Sequence, residues 1–413
     1  MNTRSARAIV VATFAMDIGF SAIAAGAAVA AKAGGLGAST IALGGAVSSL
    51  ATVVGALSAG RLPHRVRAWC ASLLVLFAGA ALSLLAGHEA LAVLLVPLRV
   101  FDGLGLGIAL TASETLLFER VVDDTARRRA LGACAMATAA GFVAGPAFTA
   151  VAVVAGVDSI AAAFVVAAVA AVATVVLVRA TIPSAAPTAT TTIASTSTST
   201  STTSTISTTS TTTWSTLWAR NRVPWLTTLS YGTFQGAGLI ALPLLLLEVG
   251  VDDAGAVAIV AVYAAGMFVG TAAVPRLGTR FGDVGVMVAF CIVGGAAIVG
   301  VGTLPVQWLL VRAPLSFVAG ATVASLSPLS LAIVGRVNSA AELPRANSIY
   351  NALYGLGNLL GPLLLAVFVD VVGTAAVITA LGVGFVVHAV FIATARAVPS
   401  SSSPSSPSLL EVS

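Results

Sequence analysis

Asp17, Arg99 and Asp102 are ionisable residues set inside long apolar stretches, where an unpaired charge costs several kcal/mol. Such a group persists in lipid when it pairs, faces water or carries a proton. A carboxylate and a guanidinium that meet near the middle of a bilayer can therefore couple proton movement to the binding of a second molecule. Asp17 lies nine residues into its apolar stretch and Arg99 nine residues into another. At about 1.5 Å per residue each is about 14 Å from its own starting face, near the middle of a core of about 30 Å. Asp102, three residues after Arg99, shares its helical face, so either carboxylate can be the partner of Arg99. Asp17 ranks first as proton carrier and Asp102 second. The competing reading is a permanent structural pair that ties the first and fourth helices together.

Neutral polar groups add a second chemistry. Asn347, Tyr350, Asn351, Tyr354 and Asn358 fall on one helical stripe, and Tyr231 and Gln235 are four residues apart. A polar stripe has no use against lipid, so it faces the interior, to grip a substrate or to tie helices by hydrogen bonds. Arg312 is a further substrate candidate, set closer to a membrane face, to which it can snorkel. Glu114 either marks a cavity mouth or ends its apolar segment beside Glu119, and His388 reads as a packed lone histidine. Cys70, Cys134 and Cys291 lack metal-ligand spacing, and there is no HExxH or Gly-x-Ser-x-Gly elbow. No metal, no cofactor and no enzyme activity are expected.

The elements that must position these groups follow from composition. In 413 residues, 58% are hydrophobic and 8% charged, against about 25% charged in soluble domains. The fold class is an all-α polytopic membrane protein. Apolar runs predict twelve transmembrane helices near 8–31, 38–60, 68–86, 90–113, 130–154, 160–178, 223–247, 255–275, 285–303, 308–333, 348–369 and 375–395. With the N-terminus inside, the inner loops collect seventeen arginines and the outer loops only Lys32, which places both termini in the cytoplasm. The first run resembles a signal peptide in its flanks, but it is too long for one and carries Asp17. Trp69, Trp218, Trp225 and Trp308 stand at predicted span ends, as interfacial anchors do. The net charge of +5 is scattered over loop ends, which argues against nucleic acid as a partner.

The chain divides into a first six-helix bundle over 1–179, a linker over 180–221, a second bundle over 222–396 and a tail over 397–413. Residues 188–213 hold 22 Ser or Thr in 26 positions, a composition that predicts disorder, as does the Ser/Pro-rich tail. The halves repeat. At a shift of 215, Arg61-Leu62-Pro63-His64-Arg65-Val66 meets Arg276-Leu277-Gly278-Thr279-Arg280-Phe281. At a shift of 216, Gly141, Gly145 and Pro146 meet Gly357, Gly361 and Pro362. Two pseudo-symmetric bundles with a midplane site between them are the architecture of secondary transporters.

These residues resemble the major facilitator superfamily over essentially the whole chain apart from linker and tail. The loop after the second span, Gly60-Arg61-Leu62-Pro63-His64-Arg65-Val66-Arg67, is similar to the family's G-x-L-a-D-R-x-G-R-R, with His64 at the acidic position. Its copy, Arg276 to Gly282 with Gly278 and Arg280, also lacks the Asp, so the charge relay that latches this side in the family is not carried over. Arg99, Gly103 and Gly105 match R-x-x-x-G-x-G of the fourth span, although a glycine ladder also serves helix packing alone. Gly132, Gly141, Gly145 and Pro146 match the fifth-span motif of the family's proton-driven antiporters, with Thr149 where a further Gly is usual.

The resemblance implies alternating access in the plasma membrane by a monomer. Its partners are protons, a small molecule and the lipid bilayer, with the glycines and Pro146 as gating elements. Scarce buried charge favours proton-coupled export of a small, largely apolar compound. Uptake of a sugar or small metabolite by proton symport is the alternative, and a transport-dead sensor or scaffold is the second alternative.

Overall fold

The computed structural model describes residues 3–59, 69, 72–78, 93–111, 124–181, 213–305, 308–339 and 342–397. All secondary structure among them is helical. The helices are α1 (Thr3–Ala33), α2 (Ala38–Ala59), α3 (described over 72–78), α4 (Val93–Thr111), α5 (Asp124–Val154) and α6 (Ser159–Thr181). The second half holds α7 (Trp214–Glu248), α8 (Asp253–Phe281), α9 (Asp283–Thr303), α10 in two segments (Leu309–Val323 and Leu326–Val337), α11 (Leu343–Val372) and α12 (Thr374–Ala397). Ten helices among the described residues are long and apolar enough to cross a membrane.

Two differences from the sequence expectation have physical causes. Helix α7 starts at Trp214, inside the stretch expected to be linker, and α5 and α11 also start several residues early. Hydropathy detects the lipid-soluble part of a helix, whereas the backbone ladder continues into the interface wherever side chains find partners. At the start of α7 those partners are indoles: Trp214 stacks on Trp218 and Trp225 at centroid distances of 6.3 and 6.0 Å. The Trp225 Nε1–H donates to the Ala346 carbonyl of α11 at 3.3 Å. Secondly, α10 is interrupted at Ala324 and Ser325. Pro328 has no N–H to offer the carbonyl four residues back, so the ladder breaks there. The Ser/Thr-rich residues 182–212 and the tail beyond 397 lie outside the described residues.

The internal repeat is written into the backbone. Helices α1 and α5 cross at Gly141 and Gly145, where a Cβ would stand 2.7 Å from the Phe14 carbonyl oxygen and 2.3 Å from that of Ile18. Helices α7 and α11 cross in the same way at Gly357 and Gly361, against Leu229 O at 2.4 Å and Thr233 O at 2.0 Å. Gly107 of α4 abuts Thr52 O at 2.0 Å and Gly320 of α10 abuts Tyr263 O at 1.9 Å. Only a missing side chain permits such approaches. The halves meet along α2–α11 and α5–α8, pairs that exchange under the repeat.

Three interhelical turns share one geometry. Gly35, Gly156 and Gly250 have φ of 82, 88 and 83°, a left-handed backbone that glycine adopts without a Cβ penalty. In each, the residue after the glycine donates its N–H to the carbonyl five residues back: Leu36 to Ala31, Val157 to Ala152 and Val251 to Leu246, at 3.0 Å. These bonds cap the helix ends and keep adjacent helices in tight antiparallel pairs.

Candidate functional site

The crossing of α1 and α5 positions Asp17. A Cβ on Gly141 would lie 2.6 Å from the Asp17 Cβ, and the Ser21 hydroxyl bridges the helices, 2.7 Å from the Asp17 carbonyl and 3.1 Å from that of Gly141. The Asp17 side chain is thus held with 1% of the residue exposed. The Thr138 side chain is its hydrogen-bonding neighbour. Its Oδ2 has no partner among the described residues.

Arg99 does not pair with Asp17. Its Nη1 lies 2.9 Å from Asp102 Oδ2, one turn along the same helix, and the Ser48 hydroxyl of α2 donates to the same oxygen at 3.3 Å. Both residues are buried. The ion pair is internal to α4, so the competing reading, an Arg99–Asp17 pair that ties the first and fourth helices, is not what forms. Beside Arg99, Ala24, Ala27, Ala28, Gly45 and Ile240 line a space of only about 10 Å³.

The neutral polar residues come together in the second half. The Tyr354 Oη donates to Gln235 Oε1 at 2.8 Å, and its ring stacks on Tyr231 at 5.8 Å and 20°. Tyr350 is engaged differently: its hydroxyl lies 2.8 Å from the Ser327 hydroxyl and donates to the Ser327 carbonyl at 3.0 Å, which ties α11 to α10. The Asn358 side chain donates to the Tyr354 carbonyl at 3.1 Å, while Asn351 is exposed. The α11 stripe therefore divides: Tyr350 packs against α10, whereas Tyr354 is half-buried beside α7.

Tyr263 of α8 was not legible as a site residue. It is buried and packs edge-on against Phe234 at 5.9 Å. Its hydroxyl has no partner among the described residues. One signal was available: the chain has four tyrosines, and all four, Tyr231, Tyr263, Tyr350 and Tyr354, stand in the second half.

Other candidates stand apart. Arg312 is 3% exposed and donates from Nη2 to the Leu304 carbonyl at the α9–α10 turn; it neither snorkels to the surface nor joins the tyrosines. Gly103 and Gly105 abut the backbone carbonyls of Ser48 and Ser72, at 2.1 and 2.8 Å from a built Cβ, so both are packing contacts. Gly132 lies within α5, and Pro146 and Pro362 are inside α5 and α11. Gly60, Arg61, Arg65 and Glu114 lie outside the described residues. Arg276, Gly278 and Arg280 are helical, in the last turns of α8, and the chain reverses at Gly282 with φ of 75°. One turn after the empty acidic position at Thr279, Asp283 at the start of α9 forms an ion pair with Arg336 of α10. The carboxylate at this loop thus stands four residues beyond the motif's acidic position.

The sequence model of the Major Facilitator Superfamily matches residues 9–315 and 239–411. The chain belongs to this superfamily. Comparison with curated protein sequences finds no match. Among solved structures, the fold of this superfamily member is similar to the nucleoside transporter NupG, at a TM-score of 0.70 and 11% identity over 97% of this chain and 100% of that one. It is similar to a D-xylose–proton symporter at a TM-score of 0.68 and 14% identity, over 94% and 96% of the two chains. A POT family transporter in complex with a thioalcohol-conjugated peptide matches at 0.71 and 13%, over 95% and 96%. At these identities the likenesses show the fold: the twelve-helix, two-bundle superfamily architecture. This superfamily member is a multi-pass membrane transporter of small molecules and not an enzyme.

Proposed function

We propose that this transporter couples proton movement to export of a small, largely apolar compound by alternating access. The bundles over 1–179 and 222–396 rock as units about the axis between α1 and α7, with residues 180–221 as the tether and 397–413 as a tail. The protein resides as a monomer in the plasma membrane with both termini cytoplasmic.

The observation that carries this reading is the contrast between the buried carboxylates. Asp102 is neutralised at Oδ2 by Arg99 and bonded there by Ser48, whereas Asp17, at a helix crossing, has no cation partner among the described residues; each keeps one oxygen without a partner. A buried carboxylate with no cation beside it holds a proton at low cost and releases it when water or a positive group arrives. Asp17 is therefore the proton carrier and Arg99–Asp102 a fixed pair. The stripe around Tyr354 and Gln235 favours a second reading, proton-coupled uptake of a sugar or small metabolite, since both groups can hydrogen-bond hydroxyls.

The test is proton flux in proteoliposomes under an imposed pH gradient, with wild type and Asp17→Asn, over lipophilic cations, neutral compounds, sugars and organic anions. Substrate-triggered collapse of the gradient that is lost in Asp17→Asn is the expected result. Collapse by sugars moves the assignment to uptake. Flux that persists in Asp17→Asn removes Asp17 as carrier, and silence across the panel from folded protein points to the sensor or scaffold reading.

A further inference from the structure

The two halves answer a buried arginine differently. The offset that sets Gly320 of α10 on Gly107 of α4 also sets Arg312 on Arg99, Leu315 on Asp102 and Ser316 on Gly103. In α4 the guanidinium meets its carboxylate one turn along, at 2.9 Å. In α10 that place is taken by the apolar Leu315, and no acidic side chain pairs with Arg312 among the described residues. Arg312 is nonetheless 3% exposed. Only its Nη2 is bonded, to the Leu304 carbonyl, while Nε and Nη1 have no partner among the described residues. One turn further along α10, the Ser316 hydroxyl is buried and likewise without a partner there. A buried carboxylate can take up a proton and become neutral, but an arginine keeps its charge at any accessible pH. The position adds to the imbalance. Arg312 stands in the first turn of a helix whose dipole already presents positive charge, and Trp308 supplies no side-chain cap.

We infer that Arg312 and Ser316 hold a small inorganic monovalent anion of the chloride class, which stands in for the carboxylate that Asp102 supplies in the first half. Residues four apart on a helix have Cβ atoms about 5–6 Å apart, so one compact ion can accept from the guanidinium and from the Ser316 hydroxyl together. It neutralises the cation and gives an acceptor to donors that otherwise stay unpaired. The surroundings select for size. A Cβ on Gly300 of α9 would lie 2.8 Å from Leu315 Cδ1, so α9 packs closely on α10 beside the site. With both donors covered by protein, a compact ion fits where an organic acid with a carbon body does not. Access is from the end of the second bundle remote from the chain termini, where Leu304 is in the α9–α10 turn between the exposed Thr303 and Pro305. Because Arg312 is tied to that turn, the bound anion also fixes the turn against the two helices. The site uses neither Asp17 nor the tyrosines and does not rest on the proton-coupling reading.

Chloride binding to the full-length protein in detergent tests this directly. The protein is purified in sodium gluconate, and chloride then replaces gluconate at constant ionic strength, with retention of radiolabelled chloride in equilibrium dialysis and the thermal midpoint as readouts. Saturable retention of one chloride per chain, with a midpoint raised by about 2–4 °C, is the expected result. Bromide substitutes for chloride and gluconate does not. Arg312→Leu removes the charge, abolishes retention and makes the midpoint indifferent to chloride. Ser316→Ala weakens chloride affinity about tenfold. Leu315→Asp writes the pair of the first half into the second, so retention is lost although Arg312 is still present, and the midpoint in gluconate rises to that of wild type in chloride. Where Leu315→Asp fails to fold, Arg312→Leu decides alone. Absence of chloride retention in folded wild type overturns the proposal, as does retention that survives in either variant. A midpoint raised by phosphate or by an acidic lipid and not by chloride overturns the small-ion assignment. None of these readouts involves proton flux, so they are decided whether or not Asp17 carries a proton.

Discussion

The first half of the molecule carries its chemistry as charge, and the second half carries it as neutral side chains. Asp17, Arg99 and Asp102 are in α1 and α4, whereas every tyrosine of the chain is in α7, α8 or α11. Yet the two halves share their crossings: Gly141 and Gly145 answer to Gly357 and Gly361, and Gly107 to Gly320. Duplication has preserved what holds helices at a given distance and has released what faces the axis. The second half also has a polar clamp at its terminus-bearing end. Asn221 and Asn338 exchange reciprocal amide hydrogen bonds at 2.7 and 3.0 Å, and Arg220 contacts Glu342 at 2.7 Å.

The comparison can be broken most severely at a shared crossing. Gly145→Val places a side chain into Ile18 O, so destabilisation of about 4 kcal/mol or more is expected, read as lost folded yield and a lower thermal midpoint in detergent. Gly361→Val should match it, because the crossings are equivalent; unequal losses would show that the halves are not. Next in size is Arg99→Ala, which leaves Asp102 buried without its cation, at about 3–5 kcal/mol. The double variant Arg99→Ala/Asp102→Ala should recover part of that loss in the same melt, since it removes the charge as well as the pair. The amide clamp comes third: Asn221→Ala leaves the Asn338 Oδ1 without its donor and should lower stability by about 1–3 kcal/mol. The smallest effect belongs to Asp283→Asn. Arg336 has 63% of its side chain exposed, and a screened pair of this kind contributes about 0–1 kcal/mol.

How much was legible before the structure follows the same division. Periodicity and charge placed the spans, and the repeat gave the glycine crossings, because close packing in lipid requires small residues at fixed spacing. The partner of Arg99 was not decidable, since Asp17 and Asp102 are both at the right depth and only the distance between α1 and α4 separates them. Tyr263 escaped because a lone tyrosine in an apolar helix has no spacing to read; its meaning comes from three other tyrosines on two other helices. Asp283 escaped because an acid moved by one helical turn no longer falls on the motif position. The break in α10 was readable from Pro328, but hydropathy averages over it.

The length of α7 has a mechanical consequence. Its 35 residues extend about 52 Å at 1.5 Å each, against a hydrocarbon core of about 30 Å. About 20 Å of rod therefore projects beyond the oily layer, and the projecting end carries the stacked indoles of Trp214 and Trp218 together with Arg220 and Arg222. Indole rings settle at the headgroup level, so this end works as a depth gauge that sets how far the second bundle sits in the bilayer. The bundle can then tilt without drawing the arginines of that end into lipid.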